Sequence, residues 1–151
     1  MISTSRTTVR TFLEKDLETF IEYRNNLDWM KYQAFKGLTK EAYRSSLLLP
    51  FHIDRGGQLA IVLKDTDELL GDLYIHKTKE GIYLGYTIHP KYSRKGYIYE
   101  VVCAIVEYLQ DSYKMKIIAE TDEGNIASRM LLLKCGFVVV RANEDGYVFE
   151  K

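Results

Sequence analysis

Three cations and one glycine stand together at Lys91-Tyr92-Ser93-Arg94-Lys95-Gly96, directly before a long segment with an apolar stripe. If that segment is a helix, its first turn leaves about four backbone N–H groups without partners and carries partial positive charge. A phosphate placed there would meet oriented amides, with Lys91, Arg94 and Lys95 as added cations and Gly96 permitting close backbone approach. The stretch differs from two familiar phosphate cradles. The sequence has no G-x-x-x-x-G-K-[ST], and no G-x-G-x-x-G follows a strand with an acid downstream. A second unit lies at Asn125-Ile126-Ala127-Ser128, where Asn125 and Ser128 share one side of a helix start. Capping alone accounts for an asparagine there and contributes about 1 kcal/mol. Each unit, taken singly, also reads as ordinary helix punctuation.

The elements that must carry these residues are legible from periodicity. Ile98, Val101, Val102, Ile105, Val106 and Leu109 recur at helical spacing, so a long helix follows Gly96. Upstream, Leu59, Ile61 and Leu63 alternate, residues 69–75 and 82–88 are strand-like, and Asp65-Thr66-Asp67 and Glu80-Gly81 are turns; together they predict an antiparallel meander ended by Pro90. Residues 116–121 predict a strand. Asn125 caps a helix that is apolar nearly all round and is therefore expected to be buried on more than one side, with Gly136 at its C-terminal cap. A hairpin around Glu144-Asp145-Gly146 closes the chain. Before the meander, residues 8–12 read as a strand. Asp16 is the expected N-cap of a helix running to about Leu27, and a second helix opens at Thr39 and stops before Pro50. The order β-α-α-β-β-β-α-β-α-β-β predicts an α/β fold with a mixed sheet between helices on both faces, an α/β/α arrangement of three layers.

Length and composition bound what this fold does. The 151 residues suit one domain over 1–151, with no linker, repeat or low-complexity tract. Lys plus Arg equals Asp plus Glu at 21 each, which gives no bulk field for nucleic acid or a membrane surface. The N-terminal MISTSRTTVR is unlike a signal peptide, and no apolar run approaches the roughly 20 residues of a membrane span. Cys103 and Cys135 are far apart in the chain and have no histidine cluster nearby. That spacing argues against a metal site, a redox pair or a disulfide scaffold, and the expected location is the cytoplasm.

Together the two units resemble the GNAT (general N-acetyltransferase) superfamily, and within it the branch of ribosomal-protein N-terminal alanine acetyltransferases. That branch carries G-Y-x-[LIV]-x-P at a strand end, G-K-G-Y-A-x-E in its phosphate loop, and N-x-x-S-x-x-[VL]-L-x-K-x-G-F. The counterparts are Gly85-Tyr86-Thr87-Ile88-His89-Pro90, Arg94-Lys95-Gly96-Tyr97-Ile98-Tyr99-Glu100 and the segment 125–137, so the resemblance spans about residues 57–141. The resemblance implies acetyl-CoA as co-substrate, lying where the strands 82–88 and 116–121 part. Its pantetheine would run along Tyr86, Ile88 and His89, and its pyrophosphate would rest on Arg94, Lys95, Gly96, Tyr97 and Ile98. Asn125 and Ser128 would bind cofactor or an ordered water. A backbone N–H near Ile88 would stabilise the oxyanion formed when a primary amine attacks the thioester.

Several positions depart from the family pattern. Ser93 stands at the first position of Q/R-x-x-G-x-G/A and branched Ile98 at the last, Arg94 replaces the first glycine of G-K-G, and Leu132 occupies the place of a tyrosine acid in many relatives. Tyr83 stands where a glutamate base is common. Glu120, His76 and His89 are the base candidates, with Glu120 ranked first because it lies near the gap and assigned, with Asn125, to catalysis. Trp29, Tyr32, Phe35 and Tyr43 are candidates for the acceptor side. The implied activity is N-acetylation of a protein N-terminus or small amine. The alternative is a CoA-binding regulatory module that has lost catalysis. No metal or nucleic acid partner is expected, and the final hairpin offers a homodimer contact.

Overall fold

Alternation decides the middle of the molecule. In β3 (Gly57–Leu63), Leu59 and Ile61 face one core while Ala60 and Val62 face another, so this strand is buried on both sides. The computed structural model describes residues 2–151 and has one eight-stranded sheet. Strands β1 (Ile2–Ser3), β2 (Thr7–Arg10), β3, β4 (Leu69–Lys77) and β5 (Ile82–Ile88) form an antiparallel run. Next to β5, and parallel to it, lies β6 (Ile117–Asp122). Then come β8 (Gly146–Glu150) and, at the far edge, β7 (Val138–Asn143), giving the order β1-β2-β3-β4-β5-β6-β8-β7.

The helices fall on opposite faces. α1 (Leu17–Arg24) and α2 (Lys40–Leu47) cover one core, where the rings of Phe12, Phe20, Tyr23 and Tyr43 meet edge to face. α3 (Tyr97–Tyr113) and α4 (Ile126–Lys134) cover the other. The stripe of α3 is buried as its spacing predicts, with Val101, Val102, Ile105, Val106 and Leu109 all inside. No helix among the described residues is long and apolar enough to cross a membrane.

Five expectations change. The first predicted strand is Thr7–Arg10, and it gains the short partner β1. The first helix ends at Arg24, not near Leu27. Asp16 stands at the N-cap position of α1 as expected, but its side chain makes no cap bond there; it belongs to a 3-10 turn, Glu14–Asp16, where its carboxylate accepts from the Leu13 N–H at 2.8 Å and pairs with Arg10 at 2.7 Å. It therefore closes the turn from its third position. Helix α4 buries only Leu132 among its residues, and Ile126, Met130 and Leu133 are 63%, 60% and 48% exposed. It packs on one side only, so its all-round apolar character leaves an open face. Finally, Cys103 and Cys135, distant in sequence, meet with their sulfurs 3.1 Å apart. Chain separation carried no information about that distance.

A buried ionic network fixes the first helix to the sheet. Arg24 Nη2 donates to Asp72 Oδ1 at 2.6 Å and to Thr87 Oγ1 at 3.2 Å, while Arg24 Nη1 reaches the Phe35 carbonyl at 3.0 Å. Tyr23 donates its hydroxyl to the other Asp72 oxygen at 2.5 Å. Arg24 and Asp72 are 2% and 0% exposed, and Arg24 Nε is buried without a partner. Two desolvated charges are tolerated only while each has the other. Asp72→Ala is expected to lower stability by about 3–5 kcal/mol, measured by chemical denaturation, because it strands a buried guanidinium. Removing both charges with Arg24→Met/Asp72→Leu is expected to recover most of the loss. An Asp72→Ala protein as stable as the parent would exclude this role.

Candidate active site

The site is built on an incomplete ladder. The parallel pairing of β5 with β6 consists of Ile82 with Ile117 and Tyr83 with Ile118, after which the strands diverge. Their other neighbours stay paired: β4 follows β5 from Lys77 opposite Ile82 to Gly71 opposite Ile88, and β8 follows β6 along its length. Backbone direction then decides what the gap offers. The Ile82 N–H reaches the Lys116 carbonyl and the His89 N–H reaches the Leu70 carbonyl, so even-numbered positions of β5 point toward β6 and odd ones toward β4. Tyr86 and Ile88 therefore present backbone groups to a strand that has turned away. The Ile88 carbonyl is taken by Trp29 Nε1 at 2.8 Å. Along the gap opens a cleft of about 370 Å³ lined by Gly85, Tyr86, Glu120, Asn125, Ser128 and Leu132, among others.

The basic loop leads from the end of β5 into α3. Pro90–Tyr92 is a 3-10 turn capped by His89, whose Nδ1 accepts from the Lys91 N–H at 3.0 Å. That contact leaves the proton on Nε2, which donates to Glu22 at 3.0 Å. Both ring nitrogens of His89 are thus engaged, Nδ1 within the turn and Nε2 with Glu22 of α1. Arg94 has φ +60° and Gly96 has φ +81°. Arg94 adopts the left-handed conformation that the missing glycine would supply, at a cost of about 1–2 kcal/mol.

Gly96 is the N-cap of α3, and the first helical bond to it comes from the Glu100 N–H at 3.1 Å, which leaves the amides of Tyr97, Ile98 and Tyr99 without helical partners. Ile98 turns its branched side chain toward the core. Arg94 and Lys95 are exposed and have no ion-pair partner among the described residues, whereas Lys91 lies 3.6 Å from Glu68. A brace that sequence reasoning missed is Arg6, which stacks 4.1 Å from the Tyr97 ring centroid, pairs with Glu100 at 2.9 Å and donates to the Lys95 carbonyl at 3.1 Å.

Across the gap, Asn125 caps α4, its Oδ1 accepting from the Ser128 N–H at 3.3 Å. Its amide nitrogen is not used in that bond, and the residue lines the cleft. Tyr86 reaches Ser128 Oγ at 2.7 Å, joining β5 to α4. Burial pushes the Tyr86 hydroxyl well above the ordinary tyrosine range, partly offset by the bond to Ser128. Leu132 is fully buried at the cleft wall and brings no proton donor.

Of the base candidates, Glu120 lines the cleft and is exposed, while His76 lies on β4 and contacts the Asp54 carbonyl at 3.2 Å. Along β6, Ala119 faces the α3 side, so Glu120 points to the side of α1 and α2. The four aromatic residues expected around an acceptor divide. Tyr32 lines the cleft and Trp29 closes the end of β5, but Tyr43 is fully buried and Phe35 packs against the second core. Asp122 and Asp145 join Glu120 at the cleft with Arg141 as the one opposing cation of its lining, so the mouth is anionic. No local motif marked those two aspartates, because their placement depends on the pairing of β6 with β8.

The comparisons agree with this geometry. The family model for the acetyltransferase (GNAT) domain matches residues 6–138. The uncharacterized N-acetyltransferase YnaD of Bacillus subtilis (strain 168) is 30% identical over 138 residues, covering 89% of this chain and 81% of that protein. An acetyltransferase (GNAT family) from Bacillus anthracis has the same fold, with TM-score 0.84, 24% identity and coverage of 99% and 95% of the two chains. The spermidine N-acetyltransferase of Vibrio cholerae, solved with CoA and spermine, superposes with TM-score 0.77 at 18% identity over 97% of this chain and 94% of that one. The chain that parts β5 from β6 over an N-terminal helix loop belongs to the GNAT family of acetyltransferases, which take their acetyl group from acetyl-CoA.

Proposed function

We propose that this acetyltransferase acts on a primary amine carried by a cationic acceptor. The observation that carries the reading is the divergence of β5 from β6, which leaves the Tyr86 backbone and the Ile88 N–H without a strand partner beside a cleft lined by Tyr86, Glu120, Asp122 and Asp145. Pantetheine would take the place of the missing strand pairing at Tyr86 and Ile88 and run past His89, whose own N–H is held by the Leu70 carbonyl. The amides of Tyr97 and Ile98, with Arg94, Lys95 and Gly96, would receive the pyrophosphate. Because Trp29 already occupies the Ile88 carbonyl, Ile88 has its N–H left to offer to the developing oxyanion. An ammonium must lose its proton before it attacks, and Glu120, on β6 beside the gap, is the carboxylate we assign to that role. The same three carboxylates favour an acceptor with more than one positive charge, such as a polyamine, over a peptide N-terminus that carries a single charge.

Amine-dependent release of free thiol from acetyl-CoA is the direct test. Spermidine is expected to exceed a peptide whose one positive charge is its N-terminal amine in kcat/KM, and absence of amine dependence across both classes would sink the reading. Glu120→Gln is expected to lower kcat about 100-fold, within the range of general-base contributions, while the KM for acetyl-CoA holds. An unchanged kcat would remove Glu120 as the base.

Two further variants examine the cofactor side. Asn125→Asp preserves the capping oxygen and removes the amide donor, so stability is expected to hold while acetyl-CoA binding weakens several-fold by calorimetry. A change in melting temperature alone would reduce Asn125 to a cap. Arg94→Gly relieves the left-handed strain and deletes a cation. Its melting temperature is expected to rise by about 2–4 °C and its affinity for CoA to fall. Tighter binding by Arg94→Gly would mean that the guanidinium obstructs the loop.

A further inference from the structure

Behind the cleft, where the C-terminal end of α4 meets the first turns of α3, the two cysteines of the chain form a close pair. Cys103 stands in the second turn of α3 and is half-buried, and Cys135 is the C-cap residue of α4 and is 5% exposed. Their sulfurs are 3.1 Å apart, about 1 Å more than a disulfide bond length. Two ammonium groups flank them. Lys151 donates to the Cys135 carbonyl at 2.7 Å, and Lys134 lies 4.2 Å from the ring centroid of Tyr99, one turn before Cys103. Cationic neighbours of this kind favour thiolates.

We propose that Cys103 and Cys135 are a thiol–disulfide site, oxidised through Cys103 by a low-molecular-weight disulfide to give a covalent link between α3 and α4. The order of events follows from exposure. Burial, reinforced by the contact with Cys103, pushes the Cys135 thiol up to about 12 against the pull of Lys151 and Lys134, so Cys135 rests protonated. Cys103 is also the more open of the two. Its thiolate attacks one sulfur of a disulfide RSSR, forming Cys103–S–S–R and expelling RS⁻. Cys135 then gives up its proton and attacks the Cys103 sulfur, forming the Cys103–Cys135 bond and expelling the second RS⁻. The protons from both cysteines end on two RSH, the cysteine pair has lost two electrons, and the small disulfide has gained them. Because the sulfurs already touch, closure requires no relocation of either helix. The link would join the helix that starts at the basic loop to the helix that starts at Asn125.

The experiment uses the full chain, reduced and then exposed to glutathione disulfide. The parent is expected to lose two hydrogens in intact mass, retain no glutathione and resist alkylation at both cysteines. Its melting temperature is expected to rise by roughly 5–10 °C, because the link closes a loop between residues 32 apart in sequence. Cys135→Ser is expected to hold one glutathione on Cys103. Cys103→Ser is expected to stay unmodified over the same time. Parent protein that keeps both thiols free, or that carries a glutathione on each, overturns the site without recourse to any variant. A lowered melting temperature after oxidation overturns closure in place. Thiol release from acetyl-CoA plays no part in these readouts, so failure of the proposed acetyl transfer would leave them unaffected.

Discussion

The short parallel ladder between β5 and β6 is the constraint on which the molecule's arrangement rests. On one side of it, β1 to β5 are held together by antiparallel pairing; on the other, β6, β8 and β7 form a second paired block. Two residue pairs join the blocks, and Ile82 is also bonded to the Lys116 carbonyl. Beyond that point each block keeps its own direction, and the gap widens toward the C-terminal ends of β5 and β6. In open α/β sheets this is where ligands enter, because strand ends and helix starts converge there. Helix α3 spans the division from behind, with packing contacts to both β5 and β6. The core beneath it is continuous although the sheet is not.

A second requirement follows, since a strand with one free edge must be held from elsewhere. β5 is secured by its full ladder to β4, by Arg24 bonded to Thr87, and by Trp29 at the Ile88 carbonyl. Burying a guanidinium and a carboxylate gives little net stability by comparison with apolar packing of the same volume. It does impose direction: Arg24 fits only when α1, the loop that bears Phe35, β4 and β5 are in register together. The aromatic loop that reaches the cleft is positioned by the same contacts that hold β5.

The parts of this arrangement that could be read from the sequence are those with local causes. The stripe of α3, the glycine before it, the asparagine cap of α4 and the alternation of β3 each act within a few residues of themselves. The contacts that proved hard to foresee join residues far apart: Arg24 with Asp72, Arg6 with the basic loop, Trp29 with Ile88, and Cys103 with Cys135. Arginines and tryptophans have many possible partners, and spacing along the chain does not select among them. Arg94 presents a different difficulty. Its residue type disfavours a positive φ, and the loop imposes one. In α4 the apolar count was right and its meaning was not, because hydrophobicity does not say whether a neighbour is present to cover it.

The two borders of the sheet are unequal. β1 contributes two residues, while β7 contributes six that are exposed along their whole length, three of them consecutive valines. A bare border of that length is a template for another strand. Head-to-tail stacking of sheets would need a receptive strand at the opposite border, and two residues provide almost none. Two copies meeting β7 to β7 about a twofold axis would consume both receptive borders at once. Growth by this route would stop after one step, because the pairing would use up β7 in both copies.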